Sequence, residues 1–205
     1  FGSNLVAAGR CVALFGTDSG KGDTDDPFLT AMKDYSSPAY TLEYSADVPT
    51  EWNVLAGANV LHTHLFNTTV LDAGVERAWF QFVTLREGQR CVATASLSAF
   101  DIDLGLFLGK SAEAWLLRIR RFSPRFLKIN ILICGLPASF GQSNLAFSPD
   151  ADRETCLRLL AHYMEEVALK KGIKYLCFKE FDRSEAETLR PLETLGYFKA
   201  YSLPD

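Results

Sequence analysis

The sequence lacks the short spacings that mark metal sites: it has no Cys-x-x-Cys pair, no His-x-x-x-His pair and no Asp-x-Asp-x-Asp loop. Its five cysteines are an odd number without paired spacing, which favours reduced thiols over a disulfide framework. We therefore predict no bound metal ion. Because reduced thiols are typical of the cytosol, we also predict a cytoplasmic location.

Long apolar runs are absent as well. No stretch approaches the roughly 18 apolar residues that a membrane-spanning helix needs. The N-terminus lacks the basic residues followed by an apolar run that are typical of a signal peptide. We therefore predict a soluble protein without a membrane span.

Charge of one sign is not in large excess, since 21 Lys and Arg residues stand against 25 Asp and Glu residues, a net charge of -4. This balance argues against a protein whose main task is to coat nucleic acid, although it leaves room for a local basic patch. The length of 205 residues is enough for one domain, or two small ones, with a sizeable core.

Residues 1–38 are predicted to form a loop-rich N-terminal extension, followed by one domain over residues 39–205. Within the extension, Gly16–Gly22 resembles a phosphate-binding loop, but its glycines are separated by three residues instead of four. Gly22 also stands where a Ser or Thr would bind magnesium, so we predict a flexible acidic loop. Because the chain begins at Phe1 without a methionine, we expect it to be part of a longer protein.

The clearest pattern in the sequence is a strand, a long helix and a second strand. Apolar and β-branched residues fill Lys128–Gly135, as in a strand that is covered on both faces. Residues 152–171 have apolar side chains at helical spacing and end before Gly172. A second strand is predicted over residues 173–179. Two strands that are joined by a helix pair most readily in parallel, and open α/β sheets bind ligands at the carboxyl ends of such strands.

An antiparallel hairpin is predicted earlier in the chain, because the alternating runs Trp79–Leu85 and Arg90–Leu97 flank a short turn with a glycine. A predicted helix over residues 112–121 then leads into a dense group of basic residues. This group could bind a phosphate-bearing substrate or RNA, or it could be a solvated helix end with favourably placed cations. Its arginines are Arg118, Arg120, Arg121 and Arg125.

His62 and His64 lie two residues apart, without a third potential ligand nearby in the sequence. On a helix, residues at this spacing point in different directions and cannot easily bind one metal ion. We therefore predict a structural or surface role for both histidines.

The order of these elements resembles the GNAT superfamily of N-acyltransferases, and most of all its Fem-like members, which carry tandem GNAT domains. The resemblance covers roughly residues 40–205. It implies an α/β fold with a mixed sheet flanked by helices, in which an antiparallel hairpin is followed by a parallel βαβ unit. The segments that carry it are DVPTEWNVLAG, FSPRFLKINILICGLPASFG, LAFSPDAD, LLAHYMEEVALKKGIKYLCFKEF and LxxLGYFKAYSLP.

In this superfamily the strands before and after the long helix separate, and the thioester arm of the acyl donor lies between them. The resemblance thus implies acyl-CoA or aminoacyl-tRNA as the donor substrate, and Glu180 or else Asp182 as the general base. Either acid could instead be a solvated loop residue or an ion-pair partner of Arg183. The donor-binding residues that the resemblance implies are Cys134, Gly135, Leu136, Ser139, Gly141, Phe178 and Lys179.

One segment departs from the pattern. Superfamily members that use acetyl-CoA bind its pyrophosphate with a glycine-containing turn at the start of the long helix, whereas Ser148–Thr155 has no glycine and several acids. Two functions therefore stay open: transfer of an acyl or aminoacyl group to an amine, or a non-catalytic GNAT-like module for binding or assembly. The expected partners are an amine-bearing small molecule or peptide, tRNA, and a second GNAT domain or a second copy of the chain.

Overall fold

The computed structural model describes residues 10–15, 40–75, 77–137, 143–181 and 185–199, without the side chains of residues 10–15, 107, 110, 111, 113, 180 and 186. Within these ranges, seven strands form one sheet. The strands are β1 (Arg10–Phe15), β2 (Thr41–Ser45), β3 (Trp79–Glu87), β4 (Arg90–Asp103), β5 (Lys128–Cys134), β6 (Leu145–Phe147) and β7 (Tyr175–Phe181).

The sheet is mixed, and the spatial order of its strands is β1-β7-β5-β4-β3-β2. Strand β6 pairs with β4 on the same edge as β5. Only the β5–β7 pair is parallel among these strands, and the other pairs are antiparallel. The predicted hairpin and the predicted parallel unit are both present, as β3–β4 and as β5–β7. This strand order is compatible with a GNAT-like topology.

Helices cover both faces of the sheet. Along β3, Val83 and Leu85 belong to the main core, whereas Phe82 packs with Trp52 and Val48 in a smaller cluster on the other face. This alternation follows from the two-residue period of a strand. The helices are α1 (Asn53–Ala56), α2 (His64–Asp72), α3 (Lys110–Arg120), α4 (Arg153–Lys171), α5 (Ala186–Leu189) and α6 (Pro191–Thr194), with 3-10 turns at Thr50–Trp52, Val60–His62 and Leu104–Phe107.

Helix α4 is the central helix of the main core. The side chain of Asp152 caps its first turn by accepting a hydrogen bond from the Thr155 amide at 3.2 Å. Gly172 ends it in a left-handed conformation, with φ of 66°. Between these ends, Leu157, Leu160 and seven other residues are buried. None of the described helices has both the length and the apolar character that a bilayer crossing requires.

Several predicted boundaries differ from the structure. The strand predicted over residues 173–179 runs instead from Tyr175 to Phe181. Residues 197–199 form neither helix nor strand, and residues 200–205 lie outside the described part of the chain. Pro191 starts a new helix at its first position, as its missing amide proton allows.

The long strand β4 has two partners along one edge. Its residues 97–103 pair with β5, and its residues 93–95 pair with β6. Both partners run antiparallel to β4, so β5 and β6 are successive parts of one line. β5 ends at Cys134 and β6 begins at Leu145, and this interruption of the line defines the candidate site.

Candidate functional site

A gap opens in the sheet where β5 ends. β5 and β7 pair from Ile131–Tyr175 to Cys134–Phe178. The next strand, β6, pairs with β4 and with no other described strand. β7 continues to Phe181 and pairs with β1 on its other side. The end of β7 and the strand β6 are therefore separated.

Gly135 is the residue at which the chain departs. Its φ of 143° is a conformation that other residues rarely adopt, and a Cβ there would be 3.2 Å from Cγ of Lys179. The Gly135 amide donates to the Ser96 carbonyl at 2.7 Å. The Gly135 carbonyl accepts a hydrogen bond from the Ser98 hydroxyl, also at 2.7 Å. Two hydrogen bonds to β4 therefore fix the position of Gly135.

Buried polar side chains hold the neighbouring backbone. The amide nitrogen of Asn67 donates to the Leu61 carbonyl at 2.8 Å, and its oxygen accepts from the Ser96 hydroxyl at 2.6 Å. Asn144 also donates to the Leu61 carbonyl, at 3.2 Å, and accepts from the Leu136 amide at 3.3 Å. These bonds tie the segment before α2 to the chain on both sides of residues 137–143. Because each polar group has a partner, the network is a rigid support for the gap.

The donor-binding residues predicted from the resemblance are only partly described. Cys134, Leu136 and Phe178 are buried where β5 and β7 separate, and they belong to the packed interior there. Burial raises the pKa of the Cys134 thiol. Lys179 packs its stem against Gly135. Ser139, Gly141 and Asp182 lie outside the described residues, as does the side chain of Glu180, so their roles stay predictions.

A cavity of about 190 Å³ occupies the gap between β6 and the end of β7. This volume is below the roughly 300–1,000 Å³ that is usual for drug-sized ligands, so it fits a small molecule or one end of a longer one. Its apolar wall includes Leu145, Phe147 and Phe181. Its ionisable groups are His62, Arg153 and Glu185.

Ser143 connects two of these groups. His62 Nε2 lies 2.7 Å from the Ser143 carbonyl oxygen, and a carbonyl can only accept, so this nitrogen carries the proton. The Ser143 hydroxyl donates to Glu185 Oε1 at 2.9 Å. Burial, as the largest effect, lowers the pKa of His62, although the bond to Ser143 and the charge of Glu185 oppose it. With the proton on Nε2, Nδ1 is the nitrogen of His62 that can accept a further proton.

Arg153 is the first residue of α4. Its guanidinium carbon is 5.7 Å from the centre of the Phe147 ring. Its Nη1 donates to the Thr188 hydroxyl at 3.3 Å. Among the described residues, no carboxylate pairs with Arg153. The cavity thus has a cation at one end that can bind an anionic group.

The start of α4 does not fit a pyrophosphate group. The Asp152 carboxylate accepts bonds from both the amide and the hydroxyl of Thr155. Asp150 forms an ion pair with Arg90 and accepts a hydrogen bond from Ser148. The bond from Ser148, followed by that from Arg90, lowers the pKa of Asp150 to about 2. A pyrophosphate would meet these carboxylates where CoA-binding members of the GNAT superfamily offer free amides.

The predicted anionic-ligand patch is divided in the structure. Arg120 forms a two-pronged ion pair with Asp103, with Nη1 and Oδ2 at 2.8 Å, and its Nε donates to the Phe126 carbonyl at 3.1 Å. Arg118, Arg121 and Arg125 are exposed. Arg120 therefore anchors α3 to the sheet, and three of the four arginines are left for a ligand.

Sequence reasoning missed the group formed by His62, Arg153 and Glu185. His62 was expected to be structural or at the surface, and neither charged residue was considered for the site. The three residues are far apart in sequence, and no spacing could have grouped them. Among the residues that the structure describes, no three His, Cys, Asp or Glu side chains come together as a metal site would require.

Comparison with known proteins gives one partial similarity. No protein-family model matches the chain, and no solved structure matches it significantly. The chain is 29% identical over 133 residues to proteins named "Putative 8-amino-7-oxononanoate synthase 2" from two strains of Mycobacterium tuberculosis, CDC 1551 / Oshkosh and ATCC 25618 / H37Rv. The match covers 62% of this chain but 17% of each relative. The chain thus spans about one sixth of the length of these curated relatives.

Proposed function

We propose that this chain is an N-acyltransferase of the GNAT-like, Fem-like type, which transfers an acyl or aminoacyl group to an amine. The observation that carries the proposal is the cavity between β6 and the end of β7, because it lies where the strands before and after α4 separate. The region of similarity is 17% of each matching relative. The name of these relatives refers to an acid that carries an amino group, and this agrees with a proposed reaction at an amine.

Two backbone amides that point away from β4 support this proposal. The Ser148 amide donates to the Val92 carbonyl at 2.7 Å. Because backbone groups alternate in an antiparallel ladder, Ala146 also faces β4, whereas the amides of Leu145 and Phe147 point toward the gap. Such amides can donate to the carbonyl oxygen of an acyl group as negative charge develops on it.

The cavity also offers groups that can accept a proton. In the proposed reaction the amine nitrogen attacks the acyl carbon, a C–N bond forms, and the bond to the thiol or hydroxyl of the donor breaks. The proton of the amine passes to a base and then to the leaving group. His62 and Glu185 line the cavity and join the earlier candidates Glu180 and Asp182 for this role.

The donor is proposed to be held through its acyl end rather than through a pyrophosphate at α4. This follows from the carboxylates of Asp150 and Asp152 at that position. The residues that line the cavity would then recognise an aminoacyl-tRNA or an acyl-CoA mainly by its acyl group. Orientation of the two reactants in the gap would supply most of the rate enhancement.

Calorimetric titration tests this proposal with octanoyl-CoA and with octanoyl-N-acetylcysteamine, which has the same thioester without the nucleotide. Both are expected to bind saturably, with affinities within about tenfold of each other, since the pyrophosphate lacks a site. A preference of a hundredfold or more for octanoyl-CoA would contradict the proposed mode of binding.

Filling the cavity with a larger side chain tests whether the ligand binds there. Thr188→Phe introduces a ring at the cavity wall and is expected to abolish binding. Thr194→Phe, an exposed threonine outside the cavity, is the control and should bind as the parent does. Equal binding by both variants would show that the ligand lies elsewhere.

The second candidate function is a non-catalytic GNAT-like module for binding or assembly. The acids at the start of α4 favour it, because they leave the domain without the usual anion site. Under this alternative, neither thioester binds, and no release of thiol is detected with a panel of amines.

A further inference from the structure

A 24-residue connection, residues 104–127, joins β4 to β5 and contains α3. Several contacts hold it to the sheet. The Leu104 amide donates to the Leu127 carbonyl at 2.8 Å, and Arg120 pairs with Asp103. Gly105 lies so close to Leu116 that a Cβ there would overlap the Leu116 side chain. This segment, named the α3 connection below, is therefore firmly anchored.

Apolar side chains are concentrated on the outer surface of the α3 connection. Phe122 is 88% exposed, Leu106 is 82% exposed and Trp115 is 54% exposed. Of the twelve exposed large apolar residues in the described part of the chain, five lie in this segment. Single exposed apolar residues are normal, but a cluster of this kind marks an interaction surface.

The same segment is strongly basic. It contains one Lys and four Arg against a single Glu, a net charge of +4, whereas the whole chain has a net charge of -4. Arg118, Arg121 and Arg125 are exposed and have no carboxylate partner among the described residues. Trp115 and Arg118 are three residues apart on α3, and Phe122 follows in the turn after the helix, so apolar and basic groups alternate along this segment.

We infer that the α3 connection binds the surface of an anionic membrane. Phe122, Leu106 and Trp115 would enter the boundary between headgroups and acyl chains, and the arginines would contact lipid phosphates. The protein would lie on the membrane rather than span it, in keeping with the absence of a spanning helix among the described residues. This inference does not rest on the proposed acyl transfer.

Two other occupants fit less well. RNA would neutralise the arginines, but it gives no reason for aliphatic Leu106 and Leu117 to be exposed beside them. A second copy of the chain that packed the same surface against itself would bring the three exposed arginines of each copy together, and like charges repel. An anionic lipid surface satisfies both the charge and the apolar groups.

The test is co-sedimentation of the full chain with vesicles at low salt. Vesicles of two parts phosphatidylcholine to one part phosphatidylglycerol are expected to bind the protein, and vesicles of phosphatidylcholine alone should bind it far less. On binding, the emission of Trp115 should shift to shorter wavelength, because the ring leaves water. Trp115→Phe should lose that shift, since Trp52 is buried and Trp79 packs against the main core.

Two variants separate the contributions. Arg118→Ala with Arg121→Ala is expected to weaken binding about 25-fold, since each basic residue near an anionic surface is worth about fivefold. Phe122→Ser should weaken it by about tenfold or more through lost apolar contact. Leu169→Ser is the control, because Leu169 is 82% exposed on α4, outside the α3 connection, and it should bind as the parent does.

Four outcomes would overturn the inference. The first is no binding to anionic vesicles at low salt. The second is binding that Leu169→Ser weakens as much as Phe122→Ser does. The third is a concentration-dependent dimer that Phe122→Ser dissociates, which would make the α3 connection a contact between copies. Tighter binding to single-stranded RNA than to vesicles, lost in the arginine variant, would likewise identify RNA as the occupant.

Discussion

Trp52 donates its indole N–H to the hydroxyl of Thr84 at 2.9 Å, and both side chains are buried. The bond links the 3-10 turn at Thr50–Trp52 to β3. The Trp52 ring also meets the edge of Phe82, with ring centres 5.5 Å apart. This buried contact, together with the bond between Asn67 and Ser96, holds the helical segment of residues 50–72 against the second face of the sheet.

Removing the acceptor tests this contact. Thr84→Val keeps the shape of the side chain but leaves the buried indole N–H without a partner, which should lower the free energy of unfolding by about 1–3 kcal/mol. Chemical denaturation measures the change. Trp52→Phe combined with Thr84→Val should cost less than the sum of the single changes, because they share one bond. Strict additivity would contradict the contact.

Gly135→Ala should lower the free energy of unfolding more than the same substitution at Gly88, another glycine with positive φ. Gly88 has φ of 59° in an open turn with nothing within 4 Å, so Gly88→Ala should cost about 1–2 kcal/mol of unfolding free energy. Gly135→Ala meets both an unfavourable φ and the Lys179 stem, and should cost about 2 kcal/mol or more.

A second substitution separates these two effects. Gly135→Ala in a Lys179→Ala background should recover only the part of the loss that comes from the close contact. Equal costs for the two glycine variants in denaturant unfolding would show that the departure from β5 is not constrained as described.

His62 should make stability depend on pH. Burial lowers its pKa below the ordinary value of 6.5, so the unfolded chain binds a proton more readily than the folded chain does. The contribution of His62 to stability is then complete above about pH 6.5 and falls as the pH drops toward the lowered pKa, with a slope of up to about 1.4 kcal/mol per unit.

Thermal unfolding from about pH 8 to about pH 5 measures this dependence. His62→Gln should show a shallower decline than the parent protein. His64→Gln, two residues away, is the matched variant. If both variants change the pH dependence equally, the effect does not come from the buried imidazole.

The buried thiols should react slowly in the folded protein. Burial raises the pKa of Cys91 to about 11 and that of Cys156 to about 12. In a Cys11→Ser variant, which removes the one cysteine whose side chain is not described, a disulfide reagent at about pH 8 should label the folded chain at least 100-fold more slowly than the denatured chain. Rapid labelling of one thiol would show that it is accessible.

Much of the fold could be predicted because the signals are local. The apolar run at Lys128–Cys134, the cap at Asp152 and the stop at Gly172 lie inside or next to the elements that they define. The hairpin was predicted from its turn, although β4 continues to Asp103, since its second half is fixed by pairing with β5. Local sequence patterns do not show which strands pair when the strands are far apart in the chain.

Strand β6 and the gap could not be predicted for the same reason. Three residues, Leu145–Phe147, form a strand only because β4 extends past the end of β5 and offers them a partner. Likewise, the juxtaposition of His62 and Glu185 depends on hydrogen bonds of Ser143, which no spacing in the sequence reveals. The predicted base Glu180 belongs to β7, and its role stays a prediction.

The pairing of β1 with β7 has a consequence for how the polypeptide can be divided. Residues 10–15 fill an outer position of the sheet and match β7 from Tyr175 to Phe181. β1 is thus a donor strand, and a short peptide with its sequence could replace it in trans, as in fragment complementation. A chain truncated before residue 40 would leave the backbone of β7 open on one side, ready to recruit a strand from another molecule.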